Sequence, residues 1–145
     1  MEVMILMDLD YDLSPPISLQ FLRRLTKKCQ VDQKAHNLAK YFMESSLLDS
    51  NLSQYRPSLT AAACMFLSLT ILKDHSNMLK IEGESGYKLE ELMPFMMNIP
   101  KAIQTNKDKK FEAVYNKFAG KALGGISCWE ELSSDEFINL TYFSC

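Results

Sequence analysis

The 145-residue sequence predicts an all-α fold, a five-helix bundle around a central buried helix. Three observations predict it. Apolar side chains recur at helical spacing in several blocks, and no convincing period-2 strand pattern occurs. The stretch Leu59–Leu72 carries no charged residue, as expected of a helix covered on every side. Apolar residues make up 47% of the chain against 23% charged, enough to fill the core of one compact domain.

The first block runs from about Ile17 to Cys29, with Ile17, Phe21, Leu22, Leu25 and Cys29 on one face. Arg23, Arg24, Lys27 and Lys28 fall on the other, and Ser14-Pro15-Pro16 reads as a start signal. The second block runs from about Asp32 to Leu48. Asp32 is its expected N-cap, because a carboxylate can accept from free backbone N–H groups. Its inward stripe is Ala35, Leu38, Ala39, Phe42, Ser46 and Leu47. Asp49–Arg56 reads as a polar loop. The third block, Pro57–Leu72, opens on a proline suited to a first helical position. Ala61, Ala62 and Ala63 leave room for neighbouring helices to come close, so this is the predicted central helix.

Lys73–Gly86 is polar, carries two glycines and reads as a loop. A fourth block spans about Leu89–Thr105, with Leu92, Met93, Met96, Ile99 and Ile103 inward. Pro94 and Pro100 lie inside it and each removes a helical hydrogen bond, which predicts a bend or break. The fifth block, about Phe111–Leu123, places Phe111, Val114, Tyr115, Phe118 and Ala122 on one face and stops at Gly124-Gly125. Ile126, Trp129, Leu132, Phe137 and Phe143 in the tail are expected to fold back onto the bundle.

Charge and composition exclude several function classes. A net charge of -2 and a pI of about 5.7 argue against electrostatic binding of nucleic acid. No apolar run reaches the roughly 20 residues of a membrane span, and Met1–Leu9 lacks the basic start of a signal peptide. The sequons at Asn51 and Asn139 are read as chance matches. Cys29, Cys64, Cys128 and Cys145 are too scattered for a disulfide framework or zinc site and read as reduced thiols. Asp8, Asp10 and Asp12 alternate like a calcium loop, but Leu13 and Leu19 stand where that loop needs Gly and Glu. An acidic linker is the better reading.

His36 and His75 are the only histidines. His36 is read as a hydrogen-bonded helix histidine rather than a ligand. Gly83 and Gly86 do not make a phosphate loop. The run Arg23, Arg24, Lys27, Lys28 could meet phosphates or an acidic partner, though a solvated helix face is the commoner use. Ser14-Pro15 has a form favoured by proline-directed kinases, and the same serine suits a helix start. The nine methionines could mark an adaptable binding surface, but those of the fourth block read more simply as core. No acid, base and nucleophile assemble, so no catalytic, cofactor-binding or metal residue is assigned, and an enzyme is not expected.

Five stretches, in order, carry a family resemblance. They are SPPISLQFLRRL at Ser14–Leu25, AHNLAKYFMESSLLD at Ala35–Asp49, YRPSLTAAACMFLSLTIL at Tyr55–Leu72, GYKLEELMPFM at Gly86–Met96 and AVYNKFAGKALGGIS at Ala113–Ser127. Together they resemble the second, C-terminal helical box of a mitotic cyclin of the A/B type. Lys88 departs from the family's usual Ser or Thr cap, and Pro100 falls where the family's helix is uninterrupted. The resemblance implies residues 1–13 as the end of a first box plus linker, 14–127 as the C-terminal box and 128–145 as a tail. It implies a non-catalytic regulatory subunit of a cyclin-dependent protein kinase, found in nucleus and cytoplasm and ordering the kinase's active site through contacts. In the family most of those contacts come from the first box, which this chain lacks, so no partner-binding residue is assigned. A cyclin-like transcription-factor module is the alternative. Val3, Met4, Ile5, Leu6 and Leu9 would normally bury against the first box. They are expected either to fold back onto the bundle or to support self-association through residues 1–9. Neither a membrane nor a nucleic acid is an expected partner.

Overall fold

The computed structural model describes residues 2–8, 10, 16–106 and 112–132. Among them the chain forms eight α-helices and no strand. These are α1 (Glu2–Asp8), α2 (Ser18–Cys29), α3 (Gln33–Ser46), α4 (Pro57–Ile71), α5 (His75–Ser85), α6 (Leu89–Met96), α7 (Ile99–Asn106) and α8 (Glu112–Ala119). Short 3-10 turns at Leu52–Gln54, Lys121–Leu123, Ile126–Cys128 and Glu130–Leu132 complete the described chain.

The central helix is α4. Pro57 occupies its first turn, and every residue from Thr60 to Leu69 is buried. Helices α2, α3, α5 and α6 all pack on it; α5 lies in the segment read as a loop, while α7 and α8, from the predicted fourth and fifth blocks, pack on α3. The alanines at 61–63 put no bulk between backbones, so α3 and α2 can approach closely. Two hydroxyls of its second half are satisfied within the helix. Ser68 Oγ donates to the Met65 carbonyl at 2.7 Å, and Thr70 Oγ1 donates to that of Phe66 at 2.9 Å. Lys73, with φ of 56°, ends the helix by a left-handed turn.

Helix α2 buries Leu22, Leu25 and Cys29. Ile17 occupies its N-cap position without a side-chain cap bond, and Ser14 and Pro15 lie outside the described residues. Gln30, in the left-handed conformation, closes α2. Two residues later Asp32 opens α3, its Oδ1 accepting from the Gln33 N–H at 2.8 Å.

The structure corrects the sequence reading at 73–86, which is mostly helix rather than loop. Asp74 caps α5 by accepting from the Asn77 N–H, and Gly86 closes it in the left-handed conformation. Gly83 sits within the helix beside open space. Ile81 is the buried anchor of α5. Replacing Asp74 by alanine should cost about 1 kcal/mol, the usual worth of a side-chain cap. Urea unfolding followed by circular dichroism would read the loss.

The expected break in the fourth block falls at Met97-Asn98, between α6 and α7. Pro100 is the second residue of α7, where its missing N–H costs nothing. Lys88 has no acceptor atom to cap α6 with. Glu91 supplies the other half of a capping box, its Oε2 accepting from the Lys88 backbone N–H at 2.8 Å. The fifth block is shorter than predicted. Helix α8 stops at Ala119, and a 3-10 turn carries the chain to Gly124. Phe118 is buried, Ile126 and Leu132 join the core, and Trp129 packs against it half-buried. Phe111, Phe137 and Phe143 lie outside the described residues. On α1, Val3, Met4, Ile5 and Met7 are exposed rather than folded back. Leu6 is half-buried, and Leu9 is outside the described residues.

Candidate functional site

Helices α2 and α3 pack side by side and bring three basic residues together. Thr26, one turn before the end of α2, donates its hydroxyl hydrogen to the Leu22 carbonyl at 2.9 Å. Its Oγ1 also lies 2.7 Å from His36 Nδ1 on α3. Arg23 on α2 and Lys40, four residues after His36 on α3, both act on the ring. The imidazole is held below its ordinary pKa, first by burial, then by Lys40 and Arg23. Among the described residues neither Arg23 nor Lys40 has a carboxylate within ion-pair distance. Such a group of unneutralised cations can receive the oxygens of an anion.

The rest of the basic run behaves otherwise. Lys28 ties α2 to α5 through Glu84 at 2.6 Å, an exposed pair of little energetic worth. Arg24 and Lys27 are exposed. The sequence reading of His36 as a hydrogen-bonded helix histidine matches its place. That reading missed the convergence of Arg23 and Lys40 on it. The spacing of His36 and Lys40 was a signal for one half of it, but Arg23 joins only through the packing of α2 on α3.

Two apolar grooves flank the bundle. One, of about 700 Å³, lies where Ile17 and Leu19 of the α2 start meet Met43, Leu47 and Leu48 at the end of α3. The other, of about 370 Å³, is walled by Phe66 and Leu67 of α4, Met78 of α5 and Met93, Met96 and Met97. The fourth-block methionines therefore serve two ends. Met96 is buried core, while Met93 and Met97 are partly exposed in the groove.

Cys29 and Cys64 are buried free thiols and Cys128 is an exposed one. Burial pushes the Cys29 and Cys64 thiols up, away from the reactive thiolate. His75 is exposed at the start of α5. Among the described residues no three His, Cys, Asp or Glu side chains gather as metal ligands, and no helix is long and apolar enough to cross a membrane.

Comparison with known proteins gives this architecture a family. The model of the family described as "Cyclin, C-terminal domain" matches residues 16–132. The chain is 39% identical over 136 residues to G2/mitotic-specific cyclin-B2 of Mesocricetus auratus, covering 92% of this chain and 34% of that protein. It is 38% identical over 136 residues to the human protein of that name, with the same coverage. To that of Oryzias luzonensis it is 40% identical over 136 residues, covering 92% of this chain and 35% of the relative. The chain thus spans about a third of the length of these curated relatives. The match runs from the start of α2 through the last described turn, over the whole bundle built around α4, and on that ground the chain belongs to the cyclin C-terminal domain family.

Proposed function

We propose that this chain is the C-terminal box of a mitotic cyclin and serves as a regulatory, non-catalytic part of a cyclin-dependent protein kinase complex in nucleus and cytoplasm. The observation that carries the reading is identity of 38–40% to G2/mitotic-specific cyclins over 136 aligned residues. The box supports the rest of the regulatory subunit and offers partner surface, while the kinase performs phosphoryl transfer. The exposed apolar row Val3, Met4, Ile5 and Met7 on α1 is the surface for contact with the remainder of such a subunit, or with a second copy. Domain limits at residues 13 and 127 belong to the same proposal. The acidic pI of about 5.7 disfavours a nucleic-acid-binding role.

The expected result is that the 145-residue chain alone does not stimulate a cyclin-dependent kinase on a histone-type substrate. A protein that joins it to a first cyclin box from a mitotic relative should stimulate phosphorylation strongly. Stimulation by the 145-residue chain alone would show that one box suffices. Absence of stimulation by the two-box protein, if folded, would count against the kinase-regulator reading.

A further inference from the structure

The apolar groove at the end of α3 and the sequence after Leu132 are complementary in chemistry. Ile17, Leu47 and Leu48 are exposed large apolar residues, and all three line that groove together with Met43, Tyr55 and Val114. Bare aliphatic side chains gathered in one groove mark a surface built to be covered. Beyond Leu132 the sequence runs through Phe137, Ile138, Leu140, Tyr142 and Phe143, and from Phe137 onward it carries no charged residue.

The path of the chain leads toward this groove. Ser127 Oγ donates to the Tyr115 carbonyl at 2.9 Å, next to Val114 in the groove wall. Just beyond, the Trp129 ring centroid lies 5.2 Å from Lys34 Nζ, near the start of α3. From Lys34 to Leu47 the helix rises about 20 Å. From Trp129 to Phe137 an extended chain spans about 26 Å. The segment is therefore long enough to bring Phe137 and the residues after it to the groove. The methionine groove is walled from α4, α5 and α6, whereas the turn at Ile126–Cys128 packs on α8 and α3.

We infer that residues 137–143 occupy the groove at the end of α3 within their own chain and cover Ile17, Leu47 and Leu48. Each aromatic ring so placed removes about 150–250 Å² of surface from water, and no charged side chain has to follow it in. Glu44, the charged residue of the groove wall, is already held by Lys117 at 2.7 Å. Any partner that uses this groove must first displace the segment, which makes it a built-in competitor for that surface. This goes beyond the kinase-regulator proposal and does not depend on it.

Methyl NMR of the unmodified 145-residue chain should show NOEs from the rings of Phe137, Tyr142 and Phe143 to the methyls of Ile17, Leu47 and Leu48. In a mixture of isotope-labelled and unlabelled chains, those contacts should stay within one chain. Chymotrypsin, which cuts after aromatic residues, gives a second reading. A segment docked about nine-tenths of the time is cut about tenfold more slowly than a free one, since cleavage follows the open population. Leu47→Glu, at an exposed position in the groove, should therefore speed cleavage at Phe137, Tyr142 and Phe143 about tenfold. Leu79→Glu, exposed on α5, should leave it unchanged. If Leu47→Glu loses helix by circular dichroism, the NOEs decide alone. Rings without NOEs to the groove would overturn the inference. So would contacts from Val3 or Ile5 in their place, which give the groove to α1, or ring contacts found only between chains, which give it to a second copy.

Discussion

Replacing Ala62 by aspartate is expected to abolish folding. Ala62 is fully buried at the middle of α4, a helix flanked by α2, α3, α5 and α6. The new carboxylate would have neither water nor a cation to meet. An unpaired buried charge costs several kcal/mol, and the added atoms must be forced into space that the alanine run leaves for neighbouring backbones. Domains of this size are stable by only about 5–15 kcal/mol, so the sum is enough to unfold it. Circular dichroism should show lost helix, and calorimetry no cooperative transition. Aspartate at Leu79, which is 74% exposed on α5, is the control and should melt close to the parent. If Ala62→Asp melted like the parent instead, α4 would not be the centre of this bundle.

Phe118→Ala should be the next most damaging of the changes considered, costing about 3–5 kcal/mol as large aromatic truncations do in well-packed cores. Phe118 is the buried residue of α8, and its ring centroid lies 5.2 Å from that of Tyr41 on α3. Tyr41 is itself buried, and that burial pushes its hydroxyl up to about 12. Removing the Phe118 ring leaves a void beside Tyr41 and takes away the main anchor of α8. Neighbouring Lys117 holds Glu44 of α3 at 2.7 Å, but its side chain is 48% exposed. Lys117→Ala should therefore cost at most about 1 kcal/mol. Urea titrations of the two variants separate the contributions. A Phe118→Ala loss no larger than that of Lys117→Ala would mean that α8 is held mainly from its surface.

Most of the architecture was legible because periodicity reports burial. The uncharged run Leu59–Leu72 pointed to α4, Asp32 to the start of α3, and Pro100 to the break in the fourth block. Helix α5 escaped because it offers periodicity little to detect. Ile81 is its buried residue, and Leu79, an apolar side chain, points outward. Its signals were local instead, an aspartate cap at 74 and a glycine stop at 86, and Gly83 between them read as a second turn residue. The site was less legible than the fold. Lys40 lies one helical turn from His36 and could be inferred from spacing. Arg23 and Thr26 reach the same ring only because the turn at Gln30 folds α2 against α3, and no one-dimensional pattern encodes that pairing.

The enclosure of α4 bears on how this sequence can drift. A helix with a solvent face offers positions where a codon can change without consequence. From Thr60 to Leu69 this one offers none, since each of those side chains is buried. Enlarging Ala61, Ala62 or Ala63 would press on a neighbouring backbone, and shrinking Met65, Leu67 or Leu69 would open a hole. The stretch is thus held to a narrow set of residues by geometry alone, without any partner touching it. The exposed positions of α2 at Arg24 and Lys27 are under no such packing restraint.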